Sequence, residues 1–105
     1  MVTAGVLSAG PLSSDTLRRQ SDDSLERKFW VASQRAGRED AQLVVTNPAG
    51  VQSRQVRRSG EAFVANAKQF YPGTIHLDGA GSYRIDISVG ADRLCVVADY
   101  LGPSP

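Results

Sequence analysis

The chain has 105 residues, 41% of them hydrophobic and 22% charged, and a formal net charge of +1. That is material for one domain with a modest core, in the ordinary composition of a soluble globular protein. Near-neutrality excludes the strong positive field of a dedicated nucleic-acid or anionic-lipid binder; the single cysteine, Cys95, excludes a disulfide framework and a multi-cysteine metal site.

The first 26 residues mix Ser, Gly, Ala and Asp with scattered leucines and show neither a period of 2 nor one of 3.6. They predict an extended polar arm that needs a partner to order it, with Leu7, Leu12 and Leu17 as candidate contacts. No basic segment precedes the small apolar residues at the start, so they make a poor secretory leader, and no run approaches the roughly 18 apolar residues of a membrane span. The expectation is a protein made and kept in the cytoplasm, or assembled there.

From residue 27 to residue 101 the chain reads as strands and turns. Arg27 to Arg35 is read as a strand because Phe29, Trp30 and Val31 are aromatic or β-branched, although Ser21, Asp22, Asp23 and Gly37 would also cap a helix. Asp40 to Thr46 carries the short apolar run of a central strand. Asn47-Pro48-Ala49-Gly50 has the residues of a type I turn. Val51 to Arg58 returns as a polar edge, with Arg54 and Arg58 on one face and Arg57 on the other. Glu61 to Phe70 fits either period. Tyr71-Pro72-Gly73 predicts a turn before a short strand from Thr74 to Leu77.

The clearest element is Tyr83 to Val89, where Tyr83, Ile85, Ile87 and Val89 alternate with Arg84, Asp86 and Ser88 as in a half-buried strand. A turn at Gly90-Ala91-Asp92 leads into Arg93 to Leu101, apolar on both faces in its middle, which places the Cys95 thiol inside. Gly102 to Pro105 forms a short tail. Turn signals every 8–12 residues between six or seven short strands predict an all-β antiparallel sandwich.

Asp78-Gly79-Ala80-Gly81-Ser82-Tyr83 resembles the tyrosine corner of immunoglobulin-like β-sandwich domains. The resemblance implies that Tyr83, with Asp78 and Gly79 before it, sends its hydroxyl back to an upstream backbone group and pins the crossover between sheets. The spacing from Asp78 to Tyr83 is one residue longer than usual, and Ile85 stands where antibody-type domains have cysteine. The resemblance covers residues 27–101 and speaks for architecture, not activity.

Chemistry is sparsely written. His76 is the only histidine, and a Ser–His–acid set would need it beside Asp78 with Ser82 or Ser88 as nucleophile; no nucleophile elbow surrounds these serines. The acids Glu39, Asp40, Asp78, Asp86, Asp92 and Asp99 have no calcium-loop spacing, and the glycines at 79 and 81 lack the lysine and helix of a phosphate loop. Arg54, Arg57 and Arg58, with Arg35 and Arg38 near in sequence, form a basic edge without interleaved aromatics for base stacking. Trp30, Tyr71 and Tyr100 are the aromatics a sugar-binding face would use, with Trp30 better suited to the core.

The sequence therefore predicts a non-enzymatic assembly protein without cofactor or metal. Its expected partners are protein subunits of a larger assembly, second copies of itself included, reached through the arm and the strand edges. By fold analogy such a leaderless sandwich looks like a tailed-phage virion component, a capsid decoration or head–tail accessory. The second reading is a small carbohydrate-binding module, decided by whether two or more of Trp30, Tyr71 and Tyr100 are coplanar and exposed.

Overall fold

The alternating and β-branched segments become strands, and their apolar faces meet. A computed structural model describes residues 2–13, 17, 26–35, 39–58 and 68–102. Among these the chain is all-β, with strands β1 (Val2–Ala4), β2 (Leu7–Gly10), β3 (Glu26–Ser33), β4 (Ala41–Thr46), β5 (Gln52–Arg57), β6 (Gln69–His76), β7 (Gly81–Val89) and β8 (Asp92–Tyr100). They form two antiparallel four-stranded sheets, ordered β1-β2-β3-β6 and β5-β4-β7-β8, in a β-sandwich-like arrangement. The helix-capping residues Ser21, Asp22, Asp23 and Gly37 and the two-period segment 61–67 lie outside the described residues.

The core sits between the sheets and is written by the period of 2. In β7 the alternation places Tyr83, Ile85, Ile87 and Val89 inside; β4 adds Leu43 and Val45, and β8 adds Leu94, Val96, Ala98 and Tyr100. The opposite sheet supplies Leu7, Ala9, Phe29, Val31, Tyr71 and Ile75. The turn after β4 forms as its residues require: Gly50 N–H donates to the Asn47 carbonyl at 2.9 Å, and Asn47 Oδ1 accepts from the amides of Ala49 and Val51.

Two stretches of the segment expected to be an arm, β1 and β2, are built into the sheet. β1 and β2 form a hairpin, β2 pairs with β3 from Leu7–Ser33 to Gly10–Trp30, and Leu7, Leu12 and Leu17 are buried in the chain's own core. All three belong to the hydrophobic cluster between the sheets. The side chain of Arg27, itself buried, ties this segment down by donating from Nε to the Leu17 carbonyl at 3.0 Å. Such a bond satisfies a backbone oxygen inside the core, where loss of its partner is costly.

The expected turn at Tyr71-Pro72-Gly73 does not form. β6 runs straight through it, pairing with β3 from Gln69–Ser33 to His76–Glu26. β6 is the last strand of its sheet, so the missing N–H of Pro72 interrupts no second ladder. Gly73 lies opposite Phe29, whose ring occupies the room a side chain at Gly73 would take: a Cβ there would come within 2.8 Å of Cε1. The pair is an aromatic ring covering a strand glycine.

Candidate interaction surfaces

The tyrosine turn is closed by hydrogen bonds from one side chain. Tyr83 is buried in β7, and its hydroxyl donates to the Gly79 carbonyl at 2.6 Å while accepting the Asp78 N–H at 2.7 Å. Gly79 has φ +134, a conformation closed to other residues, which lets the chain turn within the ring of these bonds. Asn47 Nδ2 donates to Asp78 Oδ2 at 3.0 Å, so the β4–β5 turn is fastened to the same corner. Burial raises the Tyr83 pKa; the Asp78 amide, which favours the phenolate, offsets part of that rise, and the Asp78 carboxylate adds to it. The arrangement positions strands and leaves no open reactive group.

The arginine edge is divided by the pleat. In β5, Arg54 faces outward beside Val44, whereas Arg57 lies on the core side opposite Ala41; Arg58 follows the end of the strand. Arg57 donates through Nε and Nη2 to Gln55 Oε1, and the Gln55 amide in turn bonds the backbone of Thr74 on β6. Arg35 is held at 2.8 Å by Asp92 at the opposite end of the molecule's chain order, and Arg38 is outside the described residues. Arg57 thus joins two sheet edges through Gln55, while Arg54 faces outward and Arg35 pairs elsewhere, so the described arginines do not gather in one cationic patch.

The aromatic residues separate as well. Tyr71 and Tyr100 are 0% and 7% exposed, so the coplanar platform that a sugar would need from Trp30, Tyr71 and Tyr100 does not exist. The Tyr71 hydroxyl lies 2.7 Å from both the Glu39 carbonyl and Gln69 Oε1. Trp30 is not a core residue: it is half-buried on the outer face of β3, against Gly10, and lines a groove of about 630 Å³ with Pro11, Phe70, Pro72, Lys28 and Arg57.

The residues of the hypothetical triad do not converge. His76 Nε2 stands 3.4 Å from Asp78 Oδ1, both side chains largely exposed, while Ser82 donates to Asp99 and Ser88 accepts from Arg93. The carboxylates are likewise dispersed, Asp78 beside His76, Asp86 beside Arg84, Asp92 beside Arg35; among the described residues no three metal-ligating side chains meet. Cys95 is exposed, opposite to the expectation, because β8 alternates strictly and the apolar Cys95 and Val97 take its outer face. Burial raises the pKa of this thiol and Asp86 adds to the rise, while Arg84 opposes it.

No protein family, curated relative or solved structure matches the chain. Among the described residues no helix is long and apolar enough to cross a membrane. Sequence reasoning missed Gln55 and Arg27, because a glutamine in a polar strand and an arginine before an aromatic run carry no local sign of the distant carbonyls they reach.

What remains as surface is a set of sheet edges. β1 has three residues; β6 carries Pro72 and is clamped by Gln55; β5 is polar and short. β8 is different: nine residues in unbroken register with β7, ending its sheet, with Val97 62% exposed on the outer face.

Proposed function

We propose that the chain is an immunoglobulin-like sandwich that serves as a non-enzymatic assembly subunit, binding a neighbouring polypeptide through a sheet edge. The strand order supports the architectural part. With β1 left aside, the orders β2-β3-β6 and β5-β4-β7-β8 are compatible with strands A-B-E and C′-C-F-G of such a sandwich. The Tyr83 hydroxyl bonded to Gly79 sits where a tyrosine corner sits in that scheme.

The observation that carries the functional part is β8. A long, regular edge strand presents a row of unpaired backbone donors and acceptors, and proteins ordinarily blunt such edges with charged side chains, proline, a bulge or a covering segment. β8 has no proline, lysine or bulge, and its outward charges, Arg93 and Asp99, are of opposite sign. Adding a strand to such an edge is a general mode of polypeptide recognition, in which the main chain supplies affinity and alternate side chains supply specificity. A tailed-phage virion accessory is one form such a subunit takes, by fold analogy alone.

A photo-reactive amino acid placed at Val97 on β8 or at Arg54 on β5 checks the reading, with Ala49 in the β4–β5 turn as the reference position. Irradiation in the cell that makes the protein is expected to give polypeptide adducts from an edge position and none from Ala49. A chain that stays unlinked at both edges overturns it.

A further inference from the structure

Resting on the assembly reading above, the geometry points to the partner of the β8 edge: we propose that β8 pairs antiparallel with β8 of a second copy of this chain, about a two-fold axis at Val96. An antiparallel pairing of identical strands is isologous, so whatever one copy offers must complement itself under the two-fold.

Centring the axis on Val96 sets Arg93 opposite Asp99 of the second copy, and Asp99 opposite its Arg93. Cys95 then faces Val97 of the second copy, and the reverse. Arg93, Cys95, Val97 and Asp99 are all on the outer, exposed face of β8. They are also separated by steps of two, so their backbone groups share one phase of the ladder and can be satisfied together. The result is an apolar centre, two Cys95–Val97 contacts, flanked on each side by an opposite-charge pair. An apolar middle with a polar rim is the ordinary anatomy of a protein interface.

The charges are available for this. Arg93 donates to the Ser88 hydroxyl at 3.0 Å, and Asp99 accepts from the Ser82 hydroxyl. Both of these partners are neutral and lie within the same sheet, and among the described residues neither Arg93 nor Asp99 is in an ion pair. By contrast, Arg35, Arg84 and their carboxylates are already paired. Shifting the register by two residues in either direction brings Cys95 against Cys95, or Val97 against Val97, and separates Arg93 from Asp99; the charges therefore select one register. β1 and β2 approach β8 from the other sheet, and among the described residues no strand other than β7 forms a ladder with it. Pairing would extend each four-stranded sheet into a continuous eight-stranded one with β5 at both ends.

Sedimentation of the full chain over a wide concentration range tests the proposal, with the variants Arg93→Asp, Asp99→Arg and the double swap R93D/D99R. A concentration-dependent dimer is expected. Each single reversal sets like charges opposite one another at both symmetric sites and should weaken the dimer about tenfold or more. The double swap restores opposite charges and should return the wild-type constant, with circular dichroism and the unfolding midpoint showing that each variant is folded. In parallel, Val97→Cys treated with diamide as oxidant should give a disulfide-linked dimer, since directly opposed residues are about 5.5 Å apart at Cα. The wild-type chain should not, because its two Cys95 residues would lie on a diagonal of about 7–8 Å, nor should a control Val56→Cys variant on β5.

A wild-type monomer at every concentration overturns the self-pairing, and so does a dimer indifferent to both single reversals. The photo-adduct at Val97 separates this from the broader reading. An adduct with a different polypeptide leaves the edge as an assembly site and overturns the second copy as its occupant; an adduct of twice the chain mass supports both.

Discussion

Gln55 on β5 and Thr74 on β6 bond to each other in both directions, the Gln55 side-chain amide donating to the Thr74 carbonyl and its oxygen accepting the Thr74 N–H at 3.4 Å. One side chain thereby stands in for a strand at the open edge of β6 and ties it to the other sheet. Arg57 holds the same oxygen and fixes the amide's orientation. Gln55→Ala is expected to lower stability by about 1 kcal/mol, because water can reach the freed Thr74 groups at this partly buried edge. Gln55→Glu keeps the acceptor and the Arg57 bond but loses the donor, and should fall between the two. Urea unfolding measures the stabilities. Hydrogen exchange at the Thr74 amide should accelerate in the alanine variant alone; unchanged exchange there would show that Gln55 does not close the edge.

Tyr83→Phe removes both bonds at the corner while preserving the buried ring. The Asp78 amide and Gly79 carbonyl lie on an exposed turn and are rehydrated in part, so the loss should be about 1–2 kcal/mol. The pH dependence is a sharper readout. The phenol's pKa is raised in the folded state by burial first, so the native chain holds that proton more tightly than the unfolded one. Its contribution is fully present below the unfolded value of about 10 and is lost as pH rises through the folded pKa. Stability of the wild type should therefore decline on the alkaline side, and the Tyr83→Phe variant should decline less steeply. Identical alkaline limbs would remove Tyr83 as the source.

How much of this was written in the sequence follows from how local each signal is. The alternation from Tyr83 to Val89 and the run around Leu43 place the same residues inside that the structure buries, since one face of a strand is fixed by a period of 2. Tyr71-Pro72-Gly73 misleads because its residues favour a turn, while the position of β6 at the end of a sheet and the ring of Phe29 make them acceptable in a strand. Leu7, Leu12 and Leu17 have no periodicity because they enter the core from different pieces of chain, so only the assembled sandwich shows their destination. In β8 both faces are apolar at the centre, and sequence cannot tell which of Cys95 and Val96 points inward. Of the sheet edges, which carry the functional reading, the polar composition of β5 marks one, whereas the edge position of β8 is set by strand order and leaves no mark on that strand.

Gly73→Ala tests the packing that lets β6 continue past Pro72. The added methyl meets the Phe29 ring from within the core, and the opposing strand leaves the ring little room. Overpacking of this kind costs roughly 1–3 kcal/mol. Combining Gly73→Ala with Phe29→Leu should recover part of the loss relative to the sum of the two single changes, a coupling that a double-mutant cycle of thermal or urea unfolding measures. Strict additivity would mean that the two side chains do not share the space.

Cys95 offers a direct check on the facing of β8. On the outer face its thiol should react with a maleimide in the native chain, at dilution and without denaturant, whereas an inward thiol would wait for unfolding. The reactive species is the thiolate, and burial with the help of Asp86 raises the folded pKa, so the rate should rise with pH later than for the denatured chain. Arg84 acts in the other direction and is bound to Asp86 at 3.1 Å. Asp86→Asn removes the negative charge and leaves Arg84 unopposed, which should move the pH–rate profile of Cys95 to lower pH. Arg84→Gln should move it to higher pH, because the remaining carboxylate then disfavours the thiolate alone. Shifts in these opposite directions locate the thiol beside both charges on one face of the sheet; a profile indifferent to both would place Cys95 elsewhere.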